Sequence, residues 1–92
     1  MDNNKFLNLA VQQVVDYTND EVLPSNYEPI DNSQVFVVWS AKILGNNKAM
    51  LGTRLDKDFN YYEVTYDGEK KLFYLDVYSF ERQVVSKSES YD

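Results

Sequence analysis

A chain of 92 residues and 10.8 kDa holds enough material for one small domain. It contains no cysteine and no histidine. That excludes disulfide staples, thiolate chemistry and the imidazole that serves most often as general base and metal ligand. The net charge of −6 and the pI near 4.5 make it acidic. Its longest apolar run, Val35–Trp39, falls far short of the roughly 20 residues of a membrane span. Met1-Asp2-Asn3-Asn4-Lys5 lacks the features of a signal peptide, so a cytoplasmic location with no membrane partner is expected. Eight tyrosines, five phenylalanines and one tryptophan make the chain too aromatic for a solvated coil.

Residues 3–23 have the pattern of an amphipathic helix. Leu7, Ala10, Val11, Val14, Thr18 and Val22 share one side, and Lys5, Gln12, Asp16 and Asp20 lie opposite. Asn3 or Asn4 is the expected cap, and Pro24 ends the helix by forcing Leu23 out of the α region. Residues 24–33 form a connector with two prolines and several turn formers. From Gln34 the period changes to two. Val35, Val37, Trp39, Ala41 and Ile43 are expected on one face of a strand, with Phe36, Val38, Ser40, Lys42 and Leu44 on the other. A turn at Gly45-Asn46-Asn47 leads to a second strand, about 48–55, and residues 56–60 form a loop. A third strand, 61–66, reaches Asp67-Gly68, the strongest hairpin signal in the chain, and a fourth begins near Lys71. The expected fold is therefore α+β: an N-terminal helix packed on a four-stranded antiparallel sheet made of two hairpins. The expected domain spans residues 1–85, with a flexible tail over residues 86–92.

Tyr62, Val64 and Tyr66 match Phe73, Leu75 and Val77, and this set is expected to face the helix. The reverse face then carries Tyr61, Glu63 and Thr65 beside Leu72, Tyr74, Asp76 and Tyr78, a mixture too polar for a second core. The first strand is apolar on both sides, so its reverse face calls for cover from the connector or a partner.

Few residues carry a catalytic pattern. Asp56, Asp58 and Asn60 have the spacing that opens a calcium loop, but Tyr61 stands where the sharp turn needs glycine and Asp67 where the bidentate glutamate belongs. Ser40 and Lys42 share a strand face without any signature of an oxyanion hole. Glu63 and Asp76 are expected to be cross-strand neighbours, yet so small a domain has little room for a sugar cleft. The three glycines are isolated and form no phosphate loop. A non-enzymatic protein without cofactor or metal is expected.

Charge divides unevenly along the chain. Residues 1–34 hold six acids and one base, while residues 35–92 hold nine acids and eight bases, Lys42, Lys48, Arg54 and Lys57 among them. Tyrosines on an open sheet suit the stacking of single-stranded bases, but Glu63 and Asp76 on that face oppose a polyanion. Asp16, Asp20, Glu21, Glu28 and Asp31 offer another surface, able to engage a basic groove in competition with phosphates.

Val38-Trp39, Lys42, Leu44, Asn46, Lys48-Ala49, Leu51 and Thr53, with the strings Tyr61–Gly68 and Tyr74–Tyr78, resemble a family of small phage and prophage proteins of unknown function from viruses of low-GC Gram-positive bacteria. The resemblance implies an interaction protein of the host cytoplasm. One form of this is an anti-defence inhibitor, such as an anti-CRISPR, that binds a host protein with a basic nucleic-acid-binding surface. The contact residues would be Asp16, Asp20, Glu21, Glu28 and Asp31, or Tyr61, Glu63, Tyr74, Asp76 and Tyr78. Two alternatives remain: a single-stranded DNA-binding accessory of phage replication or recombination, and a self-associating homodimer.

Overall fold

A computed structural model of the chain describes residues 1–56, 58 and 60–88. Asp2, rather than Asn3 or Asn4, caps helix α1 (Asn3–Tyr17), its carboxylate accepting the Asn4 amide at 3.1 Å. This satisfies one of the helix's orphan donors and places negative charge at the positive end of the dipole. The buried ridge is Phe6, Ala10, Val14 and Thr18, spaced four apart, with Val15 beside it. The expected stripe through Leu7 and Val11 is thus rotated by one residue, and those two are only half-buried. Phe6 sets the rotation. As the largest apolar side chain of the helix it points at the sheet and lies parallel to Phe73, ring centroids 6.3 Å apart.

The expected single helix to Leu23 is also interrupted. Over Thr18–Val22 the coil widens, and the Leu23 amide donates to the Thr18 carbonyl five residues back at 2.9 Å. Leu23 is extended ahead of Pro24, as the proline requires. The Asn19 amide group holds both backbone groups of Ile30, accepting from its N–H at 2.8 Å and donating to its carbonyl at 3.1 Å. Ile30 is thereby fixed in the core beside α1.

Strands β1 (Val35–Ile43), β2 (Asn46–Thr53), β3 (Tyr61–Asp67) and β4 (Leu72–Tyr78) form one antiparallel sheet in that order. The architecture is α+β, an N-terminal helix on an open four-stranded sheet, as expected. Ala49 and Leu51 of β2 and Tyr62 and Val64 of β3 are fully buried against α1, with Phe73, Leu75 and Val77 of β4 packed around them. Tyr62, Val64 and Tyr66 pair with Val77, Leu75 and Phe73, the expected set.

Three features of the sheet correct the sequence expectation. Val37 pairs with Leu51 and Trp39 with Met50, so Val38 is an inserted bulge residue. The bulge reverses the phase of β1: Val35 and Val37 lie on the helix side, while Trp39, Ala41 and Ile43 turn to the open side. The first corner is Leu44-Gly45, so Asn46 and Asn47 belong to β2, and Asn47 is fully buried, donating to the Met1 carbonyl at 3.3 Å. The second corner is a four-residue loop, 68–71, closed by Asp67 opposite Leu72. Asp67 prescribes it by accepting the amides of Glu69 at 3.0 Å and Lys70 at 3.1 Å.

The two corners touch. The Gly68 amide donates to the Asn46 side chain at 3.0 Å, and a Cβ on Gly68 would stand 2.0 Å from the Gly45 carbonyl oxygen. Only glycine permits that approach. Residues 79–88 follow β4 outside the sheet; the last four positions of the expected tail, 89–92, lie outside the described residues.

Candidate functional site on the open sheet face

The period of two that buries Tyr62 and Val64 sends Tyr61, Glu63 and Thr65 through the sheet to its uncovered side. Register then assembles the rest. Trp39, Met50, Glu63 and Asp76 form one row across all four strands, and Ala41, Lys48, Thr65 and Tyr74 form the next. Tyr61 opposes Tyr78. All five open-face residues expected from sequence, Tyr61, Glu63, Tyr74, Asp76 and Tyr78, therefore stand together.

The connector does not cover this face. Trp39, Tyr61, Tyr74 and Tyr78 are each 42–50% exposed, and Ile43 is 68% exposed. Phe36 lies over Gly52, whose added Cβ would meet the ring at 2.7 Å, and the Arg54 guanidinium sits 5.4 Å above the same ring. A hollow of about 420 Å³ opens beside Trp39, Ala41, Ile43, Leu44, Lys48 and Thr65. Leu44 forms its outer lip with φ of 58° and 95% exposure. A branched residue in that conformation costs about 1–2 kcal/mol, with no burial to offset it.

The electrostatics are those of a carboxylate pair with one counter-ion. Glu63 and Asp76 oppose each other directly. Lys48 Nζ lies 3.4 Å from Glu63 Oε1, the pair being partly exposed. Among the described residues Asp76 has no ion-pair partner.

Asp16, Asp20, Glu21, Glu28 and Asp31 belong to the other layer, on α1, the wide turn and the connector, and all are exposed. They do not join the tyrosines. Two are already engaged: Asp16 accepts from Gln12 Nε2 at 2.9 Å, and Asp31 accepts the Ser33 hydroxyl at 2.5 Å and amide at 2.9 Å. Those bonds, the hydroxyl's foremost, hold the Asp31 carboxyl below its ordinary value. Beside this acidic set a hollow of about 520 Å³ is lined by Val22, Leu23, Pro24, Tyr27 and Leu55 with Asp56 and Asp58.

The loop with calcium-like spacing has a role in hydrogen bonding. Asp58 Oδ2 accepts the hydroxyls of Thr53 at 2.6 Å and Tyr62 at 2.9 Å, and Oδ1 accepts the Asn60 amide at 3.1 Å. This carboxylate fixes the loop and pairs the only polar atom of a fully buried tyrosine ring. Burial keeps the Tyr62 phenol above its ordinary value. The described residues contain no group of three or more acidic side chains able to hold a metal ion. Ser40 and Lys42, placed on the helix side by the bulge, are exposed opposite Ala49 and Asn47. Of the four expected hairpin cations, Lys57 lies outside the described residues. Among the described residues no helix is long and apolar enough to cross a membrane.

The residues missed in the sequence are Trp39, Ile43 and Met50 on the open face and Leu44 at its corner. Val38 sits inside an uninterrupted apolar run, so nothing local marked the bulge. Gly52 within a strand was the available signal for the close approach of Phe36.

No curated protein and no solved structure gives a significant match to the chain. One family model does match, over residues 7–88. The chain belongs to that family, DUF6275, a family of unknown function.

Proposed function

We propose that the protein is a non-catalytic interaction protein that binds a protein partner through the open face of its sheet. The observation that carries this reading is an uncovered sheet face on which Trp39, Ile43, Tyr61, Tyr74 and Tyr78 are all exposed. Rigid aromatic side chains on regular strands are the anchors from which protein interfaces draw most of their energy. Direct binding of single-stranded nucleic acid fits the tyrosines but not Glu63 and Asp76, which face Lys48 alone as a described counter-ion.

The resemblance to phage proteins supports a partner from a host cell, and an inhibitor of a nucleic-acid-handling host protein is the form we propose. In that form the acidic helix layer steers the approach by its field, and the sheet face makes the contact.

Capture from host lysate tests the choice of surface. Tyr74→Asp and Tyr78→Asp should each abolish recovery of the bound protein, while Asp16→Lys, Asp20→Lys and Glu21→Lys together should slow its capture and leave the complex intact. Loss of the complex in the triple reversal, with capture unaffected by the tyrosine substitutions, would move the interface to the helix layer. A doubled mass in light scattering that Tyr74→Asp returns to the monomer would instead make the partner a second copy.

A further inference from the structure

We infer that the open face is built to take an arginine side chain of the protein partner, seated on Asp76 between Tyr74 and Tyr78. This rests on the interface reading above and names the chemistry of its centre. Glu63 and Asp76 oppose each other across β3 and β4, an arrangement that like charges disfavour. Among the described residues only half of it is compensated. Lys48 reaches Glu63 at 3.4 Å, and Asp76 is left exposed with no cation beside it among the described residues.

The surroundings of Asp76 favour one kind of cation. Tyr74 and Tyr78 stand two residues to either side on the same strand face, about 7 Å away at strand spacing. Tyr61 extends the wall opposite Tyr78. All three tyrosines are about half exposed. A planar guanidinium stacks on such a ring and donates two parallel hydrogen bonds to a carboxylate, whereas an ammonium is a hydrated point charge that matches neither feature as well. β4 is an edge strand, which leaves the site open from the side as well as from above. The same carboxylate repels a phosphate, so the site favours a protein over a nucleic acid.

The test titrates the isotope-labelled full chain with two blocked tripeptides, triarginine and trilysine, and follows backbone amides by NMR. Triarginine should shift Tyr61, Glu63, Tyr74, Asp76 and Tyr78, and bind about fivefold tighter than trilysine. Asp76→Asn and Tyr78→Ala should each remove that preference, and Tyr78→Phe should keep it. Equal affinity for the two peptides in the wild-type chain overturns the proposal without need of any variant. So do shifts that gather at Asp16, Asp20, Glu21 and Glu28. If the arginine preference is absent while Tyr74→Asp and Tyr78→Asp still abolish capture, the arginine site fails and the interface stands. If those substitutions leave capture intact, the interface reading fails on its own evidence.

Discussion

The two faces of the sheet are made by the same four strands, yet they treat their aromatic side chains in opposite ways. On the helix side Tyr62 is fully buried, meets Tyr17 edge-on with ring centroids 5.8 Å apart, and donates its hydroxyl to Asp58. Phe73 is held between Phe6 and Tyr66. On the other side Tyr61, Tyr74, Tyr78 and Trp39 keep about half their surface in water. One face spends its aromatics on stability and the other leaves them available for contact. The contrast makes separate predictions for folding and for binding.

The largest expected effect is on the covered face. Phe6→Ala removes a buried ring and its contact with Phe73, and should cost about 3–5 kcal/mol in urea unfolding. Tyr74→Ala and Tyr78→Ala should stay within about 0.5 kcal/mol of wild type in the same experiment. If the open-face tyrosines proved as costly as Phe6, the division between the faces would fail.

Next comes the corner contact that closes the sheet's end. Gly68→Ala puts a methyl group into the Gly45 carbonyl and should cost about 1–3 kcal/mol. Gly45→Ala meets nothing within 4 Å at a residue without positive φ, and should be neutral or slightly stabilising. Neither glycine has positive φ, so a shared response would contradict the contact.

Asp58→Ala leaves the Tyr62 and Thr53 hydroxyls without their acceptor and should cost about 1–3 kcal/mol. The smallest effect is a pH dependence. The Tyr62 phenol is held above the ordinary value of 10.0, mainly by burial, so between the two values the folded chain binds more protons than the unfolded one. Stability contributed by neutral Tyr62 is therefore complete below about pH 10 and falls as pH rises beyond it. Urea midpoints measured from about pH 8 to pH 11 should decline, and Tyr62→Phe should flatten the decline.

The parts of the fold readable from sequence are those where one local rule acts without competition. Alternation in Tyr61–Tyr66 and Phe73–Val77 assigned both faces of the second hairpin because no bulge intervenes, and five open-face positions followed from it. The first hairpin obeys rules that compete. The apolar run Val35–Trp39 has no polar residue to register a phase change, so the bulge at Val38 was invisible, and Trp39 and Ile43 moved to the open face with it. Gly45 attracted the turn, although the positive φ is carried by Leu44. Asn47 looked like a turn residue and is a buried strand residue, because the helix start supplies a partner 46 positions away. On the helix, Leu7 and Phe6 are both apolar neighbours at acceptable spacing, and only the position of Phe73 decides between them.

Contact through the open sheet face can be read from the labelled chain by mapping its amide shifts on addition of the protein it captures. The shifts should centre on Trp39, Tyr61, Glu63, Tyr74, Asp76 and Tyr78, with the amides of Asp16, Asp20, Glu21 and Glu28 unmoved. Shifts confined to those four acidic residues, with the tyrosines of the sheet unaffected, would contradict it.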